Sequence, residues 1–224
     1  WLARPAAAPA SAEAAGARIC EGTPVTALAR DGAGVRAETP GGRVLARGAL
    51  LATSAFPPLV RAIGRYVVPV YDYVLVTEPL SAEQRAAVGW DGGQGLSDVT
   101  NLFHYFRMTD DGRILWGGYD AVYDFAGRVA PERDERPATF ARLTEHFFTA
   151  FPQLEGIGFS HRWGGAIDTC SRFSPLWGRA LGGRAVYVVG FTGLGVGSSR
   201  FGARVALDLL DGADNERTRL EMVR

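Results

Sequence analysis

The sequence predicts a mixed α/β protein of two lobes, and three observations predict it. Residues 185–190 (AVYVVG) form a short apolar, β-branched run that ends in a glycine cluster, after which the apolar period changes: Phe201, Val205 and Leu209 recur every four residues, with Ala206 and Leu210 beside them. That is a buried strand, a glycine-rich turn and an amphipathic helix. Near the start, strand-like runs are separated by Asp31-Gly32-Ala33-Gly34 and Pro40-Gly41-Gly42, which is the punctuation of antiparallel hairpins. Between these ends lies an aromatic hairpin followed by a stretch with Phe140, Leu143, Phe147 and Phe151 on one helical face. Alternation of sheet and helix with hairpins in both halves is α/β in part and α+β in part.

In chain order, Pro5 and Pro9 interrupt the Ala-rich start, so only a short helix over residues 11–15, closed by Gly16, is expected. Residues 17–20 predict a short strand. A β-meander follows over 24–29, 35–39 and 43–53, the last run passing into small residues and Pro57-Pro58. A strand that ends in small residues lets something large lie against its backbone. Residues 67–77 (VVPVYDYVLVT) predict a long strand and 81–88 a helix; 101–108 and 114–119 pair about the turn Asp110-Asp111-Gly112-Arg113. A helix spans 137–151, stopped by Pro152, and a strand spans 157–167. A loop through Pro175 then leads back to the strand at 185 and the helix at 198–210, capped by Asp211-Gly212.

Composition narrows the function. The 224 residues suffice for one large or two small domains with a real core. Lys plus Arg equals Asp plus Glu, 24 of each, so nothing points to nucleic acid or an anionic membrane surface. No apolar run is long enough to span a membrane. Two cysteines, Cys20 and Cys170, stand far apart, which fits a reducing cytoplasm better than a disulfide scaffold. The chain opens on Trp1 in what reads as the middle of an element, and is expected to be a fragment of something longer.

The glycine turn is where chemistry is expected. The first N–H groups of a helix have no internal partner and the helix dipole adds positive potential there, so glycines that admit a ligand make an anion site. Such a site could hold a phosphate or an electron-rich ring; a tight turn with no ligand is the plain alternative. A dinucleotide fingerprint would need a second strand and an acidic residue about 20 positions on, whereas only a charged tail follows, from Asp211 to Arg224.

Five motifs in order carry a resemblance. Gly16, Ile19, Glu21, Thr23 and Val25 at their spacing, residues 51–56 (LATSAF), 76–80 (VTEPL), Arg162-Trp163-Gly164-Gly165 and residues 190–195 (GFTGLG) together resemble the FAD-dependent amine and amino-acid oxidases. These form the D-amino-acid oxidase superfamily, which includes glycine, sarcosine and gamma-glutamylputrescine oxidases. The likeness covers nearly the whole chain from Gly16, and implies a partial FAD-binding Rossmann-like domain (1–64 with 176–224) around an antiparallel substrate-binding domain (65–175). It implies oxidation of a C–N bond of a small amine or amino acid to an imine, with hydride transfer to flavin N5 and O2 as an electron acceptor. Val25 would offer its backbone to the adenine, Thr53, Ser54 and Ala55 would pass beside the dinucleotide, and Gly193, Leu194, Gly195, Val196 and Gly197 would face the isoalloxazine, whose negative charge their N–H groups would stabilise.

Departures from the family pattern also matter. The Gly-x-Gly-x-x-Gly unit that cradles the pyrophosphate does not precede the meander, Ser54 stands where glycine is usual, and Leu194 where histidine is frequent. The missing unit keeps open two alternatives to a working enzyme: a truncated relative unable to hold FAD, and a subunit whose partner chain completes the flavin site.

Tyr105 and Arg107 alternate with Phe106 on one strand, so they could share a face and bind a substrate carboxylate or polar tail; a surface Arg and a half-buried Tyr is the competing reading. Trp116 and Tyr119 either wall the flavin or belong to the core. Three histidines with no acid or cysteine at ligand spacing give no metal set. Cys170 does not match the position of a flavin-linked cysteine, so noncovalent FAD is expected. Asp168 and Thr169 are too generic to assign.

Overall fold

A computed structural model describes residues 7–118, 120–123 and 127–223. The first strands, β1 (Ala27–Asp31), β2 (Gly34–Thr39) and β3 (Gly42–Ala46), form an antiparallel meander. The next, β4 (Ala49–Leu51), leaves that sheet and lies parallel to a strand from the far end of the chain, β11 (Ala185–Val189), which pairs antiparallel with β10 (Leu176–Ala180). A five-stranded sheet ordered β6-β7-β8-β5-β9 occupies the middle, built from β5 (Val68–Thr77), β6 (Leu96–Ser97), β7 (His104–Met108), β8 (Ile114–Gly118) and β9 (Phe159–Thr169). Four helices complete the described residues: α1 (Ala7–Ala14), α2 (Ala82–Val88), α3 (Pro137–Ala150) and α4 (Gly195–Leu210).

Local chemistry explains most of the boundaries. At the start of α2, Ser81 accepts from the Gln84 N–H while the Gln84 side chain accepts from the Ser81 N–H, and Gly89 closes the helix at φ 65, a capping box and a left-handed C-cap. Pro137 opens α3 at a position where the missing N–H costs nothing. The apolar stripe of α3 lies on one face of the five-stranded sheet: Phe140, Leu143, Phe147, Phe151 and Leu154 pack against Tyr71, Tyr73, Leu75, Ile114 and Trp116. A side chain such as Phe147, fully buried there, contributes about 2 kcal/mol through area alone. On the other sheet, Val205, Ala206 and Leu209 of α4 seal Val186 and Val188 of β11 against Trp177, whose indole N–H donates to the Gly202 carbonyl.

Several expectations are corrected. The first helix covers Ala7–Ala14 rather than 11–15. Residues 17–20 form no strand; all four are exposed, and an unpaired strand has nowhere to place its hydrogen bonds. The run 43–53 is two strands in two sheets, divided where Arg47 and Gly48 turn the chain. The loop through Pro175 contains β10, whose Leu176 and Trp177 are buried. Phe201 is not on the buried stripe of α4: it is 45% exposed and meets only the edge of Trp177, centroids 6.2 Å apart.

Candidate functional site

The glycine turn is held from below. Gly190 has φ 82, and a Cβ added there would fall 2.9 Å from Cys170 Sγ, so only glycine fits both the backbone and the space. The buried Asp168 at the end of β9 accepts the Gly190 N–H at 2.8 Å through Oδ2, while its carbonyl accepts the Thr192 N–H at 3.3 Å. Thr192, itself at φ 52, accepts the Cys170 N–H at 3.3 Å and donates to the Gly190 carbonyl at 3.1 Å. These bonds clamp residues 190–192 to β9. Asp168 is a positioning residue for the turn, and its role is invisible in sequence because its partners lie 22 and 24 residues away.

Above that clamp the helix starts unguarded. Leu194 is the N-cap of α4 and no side chain caps the helix, so the first N–H groups of Gly195, Val196 and Gly197 have no intrahelical acceptor. Leu194 is 66% and Val196 78% exposed, although both are apolar. A Cβ on Gly193 would meet only Ile167 Cδ1, at 4.0 Å, leaving open space over the turn. An uncapped helix end beneath exposed apolar side chains suits a flat, anion-forming ring better than water alone.

The end of β4 has a second such feature. The Thr53 hydroxyl is buried and has no hydrogen-bond partner among the described residues, which costs about 1–3 kcal/mol unless something else satisfies it. Ser54 takes φ 50, the left-handed region in which glycine is free of strain; the backbone here keeps a glycine-type conformation although the side chain is serine. Ala55 is buried, and with Ser54 it borders a cleft of about 420 Å³ that also includes Pro58, Ile63 and Arg128. Val25 is 40% exposed and lies outside any strand, and its backbone has no hydrogen-bond partner among the described residues. The orphaned hydroxyl, the uncapped helix and the open glycines fit the ring-facing part of FAD; the fingerprint for the pyrophosphate is absent from residues 1–26.

The sheet face opposite α3 carries Tyr105 and Arg107. Register places Tyr105 beside Gly117 and Arg107 beside Leu115, with Gly117 beside Val74, so Asp72, Val74, Gly117, Tyr105 and Arg107 share one face, as do Gly165 and Ile167 of β9. The glycine at 117 has a specific use: a Cβ there would lie 2.6 Å from the Tyr105 hydroxyl, so its absence lets the ring cross β8. Tyr105 thereby donates to Asp72 Oδ2 at 2.6 Å, and Asp72 Oδ1 accepts the Tyr73 N–H at 3.0 Å. Burial pushes the Asp72 carboxyl above the ordinary range against these hydrogen bonds, and burial together with the Asp72 charge pushes the Tyr105 phenol far up. Arg107 is half-buried and makes no hydrogen bond or ion pair among the described residues. Ile167, two residues from Gly165 on this face, is the nearest side chain to the space over Gly193, its Cδ1 4.0 Å from where a Cβ there would stand, so this end of the sheet face borders the glycine turn.

Other candidates lie elsewhere. Trp116 belongs to the core, 2% exposed on the α3 side, stacked on His104 with centroids 4.5 Å apart; Tyr119 lies outside the described residues. His104 bonds Asp98 Oδ2 at 2.6 Å through Nδ1 and His146 Nδ1 at 3.0 Å through Nε2, a buried tie between β7 and α3. His161 is exposed and bonds Ser160 at 2.9 Å. Cys170 is buried, its thiol donating to the Ser174 carbonyl at 3.2 Å.

The comparisons with known proteins bear directly on this geometry. The family described as "FAD dependent oxidoreductase" (DAO) matches residues 6–209. The chain belongs to the DAO family. Among curated relatives, the probable oxidoreductase OrdL of Haemophilus influenzae is 27% identical over 207 residues, covering 90% of this chain and 44% of that protein. The gamma-glutamylputrescine oxidoreductase of Escherichia coli is 31% identical over 205 residues, covering 90% of this chain and 45% of that one. The chain thus spans about half the length of the curated relatives it matches. A crystal structure of glycine oxidase from Geobacillus kaustophilus superposes with a TM-score of 0.73 at 19% identity over 94% of this chain and 54% of that one, so the DAO-family fold is shared.

Proposed function

We propose that this DAO-family chain carries the ring-facing side of an FAD site and the substrate-facing sheet of an enzyme that oxidises a C–N bond of a small amine or amino acid to an imine. The single observation that carries the reading is the uncapped, apolar-rimmed start of α4, clamped by Asp168 and bordered at Ile167 by the face bearing Tyr105 and Arg107. Bound noncovalently, FAD would supply the two-electron oxidation of that bond.

The chain's own residues have distinct tasks. Backbone N–H groups of Gly195, Val196 and Gly197, with the dipole of α4, offer donors to negative charge on the ring, while Leu194, whose own N–H donates to the Phe191 carbonyl at 2.9 Å, lines the turn with its side chain. Thr53, Ser54, Ala55 and Val25 offer hydroxyl and backbone groups to the rest of the dinucleotide. Arg107 supplies a guanidinium for a substrate carboxylate, and a planar fork suits that bidentate contact. Tyr105 stands beside it on the same strand face. Noncovalent attachment is supported by the buried thiol of Cys170, already engaged with a carbonyl. The domain division (1–64 with 176–224, and 65–175) follows the sheets, O2 is a suitable electron acceptor, and two free cysteines fit the cytoplasm. Among the described residues no helix is long and apolar enough to cross a membrane.

The test is a visible absorption spectrum of the purified chain after incubation with FAD and gel filtration, followed by an anaerobic amine screen. Retained flavin bands that bleach with an amine are expected. A chain that elutes without flavin, and does not quench free FAD fluorescence, contradicts the reading.

A further inference from the structure

The half-buried carboxylate of Asp72 lacks the cationic partner that a carboxylate drawn into a sheet face ordinarily has. Its hydrogen-bond donors, the Tyr105 hydroxyl at 2.6 Å, the Tyr73 N–H at 3.0 Å and the Gly118 N–H, are all neutral, and no cationic side chain acts on it among the described residues. A carboxylate withdrawn from water without a cation is costly, so such groups are rare in a purely structural role. A neutral side chain would join β7 to β5 without that cost.

Asp72 also borders free space on the substrate side. Directly opposite it on β9 stands Gly165, where an added Cβ would meet nothing within 4 Å. The notch at Gly165 is two residues from Ile167, whose Cδ1 lies 4.0 Å from where a Cβ on Gly193 of the ring-facing turn would stand. Arg107, the other charged group on this face, is two residues beyond Tyr105 and points to the opposite charge requirement. A carboxylate in an open notch, near the turn but not at it, suits a cation that is part of a substrate.

We propose that Asp72, held by Tyr105 across Gly117 and opening onto the notch at Gly165, is a substrate-binding residue that selects amines carrying an additional ammonium group besides the nitrogen to be oxidised. The proposal rests on the flavin reading above only for the side of the sheet on which substrate lies. Tyr105 then acts as a positioning residue: its hydroxyl fixes Oδ2, the Tyr73 N–H holds Oδ1, and the lone pairs these neutral donors do not use are offered to the ammonium. Burial, which pushes the Asp72 carboxyl up, is opposed by such a cation, so ligand and carboxylate stabilise each other.

The test compares two amines of equal length, 1,5-diaminopentane and 1-aminohexane, by calorimetry on the full 224-residue chain with FAD present. The wild type is expected to prefer the diamine by about tenfold or more, the scale of one charge-assisted contact. Asp72→Asn, nearly isosteric, should bring the two amines to within about twofold, and Tyr105→Phe should narrow the gap less. Gly165→Val fills the notch without touching the carboxylate's hydrogen bonds and should also abolish the preference, which keeps the test open if Asp72→Asn fails to fold. A wild type with no preference, or a preference that survives both Asp72→Asn and Gly165→Val, overturns the proposal. The flavin spectrum of the same samples separates the two claims: retained FAD without amine preference defeats this one alone, preference without retained FAD defeats the flavin reading alone, and absence of both defeats both.

Discussion

The two faces of the five-stranded sheet differ in how completely the chain satisfies itself. On the α3 side, aromatic rings close on one another: Trp116 lies edge-on to Phe147 at 5.8 Å and to Phe151 at 5.9 Å, and Phe147, Leu143, Ile114 and Leu154 have no exposed surface. On the other side stand, among the described residues, a carboxylate with only neutral donors, a guanidinium without an anion and a glycine notch, on a face that ends at Ile167 near the glycine turn. One face is a finished core. The other is a surface whose polar groups and exposed apolar residues are complementary to something outside the chain. The difference separates scaffold from site: packed regions explain stability, and incompletely satisfied ones mark where a ligand is expected.

Substitutions should respect that division. The largest effect belongs to the packed face: Phe147→Ala should cost about 3–5 kcal/mol in urea unfolding, through lost burial and a cavity between α3 and β8. A cost below about 1 kcal/mol would mean that this face is not the scaffold. Next comes the clamp under the glycine turn. Gly190→Ala should cost about 1–3 kcal/mol, because the backbone is left-handed there and the new methyl meets Cys170 Sγ, and it should weaken FAD binding as well. Smaller still in stability is Leu194→Glu, at an exposed position. It should change unfolding by less than about 0.5 kcal/mol, yet lower FAD affinity about tenfold in fluorescence titrations by placing a like charge beside the anion-forming ring. Unchanged FAD affinity would remove the turn from the site.

The smallest effect is a pH dependence at the sheet edge. Burial works against ionisation of Asp98, but its hydrogen bonds with His104 and Thr100 prevail and hold the carboxyl well below the ordinary range. A depressed carboxylate stabilises the fold above its unfolded pKa and loses that contribution as the pH falls below it. The wild type should therefore be more stable than Asp98→Asn near pH 7, with the gap closing below about pH 3. Burial, followed by the charges of His104 and Arg142, lowers the pKa of His146, so its neutral form is favoured in the fold, and that contribution is also lost on the acid side.

Periodicity and composition made the packed face legible. The three- and four-residue spacing of Phe140, Leu143, Phe147 and Phe151 forecast α3, and the long apolar, β-branched and aromatic run 67–77 forecast β5. Punctuation forecast the meander because its partners are neighbours in sequence. What was missed depends on distant partners. The short strand β10 shows no period in five residues, and β4 leaves the meander for β11 because its partner lies some 136 positions on, at the Ala49–Ala185 pairing. The candidate site was half legible. Alternation put Tyr105 and Arg107 on one face of the strand, and the strand-to-helix context singled out the glycine turn. Asp72 was not, because its significance comes from a tyrosine two strands away that reaches it over a glycine, and Asp168 was not because it acts through backbone groups brought together only by folding.

The most direct measurement is a titration of the ¹⁵N-labelled chain with FAD, reading backbone amide shifts residue by residue. Shifts are expected at residues 53–55 and 193–197, extending to Gly165 and Ile167 on the open sheet face, with the amides of α3 unmoved. Shifts centred on α3 or the Asp98–His146 edge, or none at flavin concentrations that saturate fluorescence quenching, would contradict this placement.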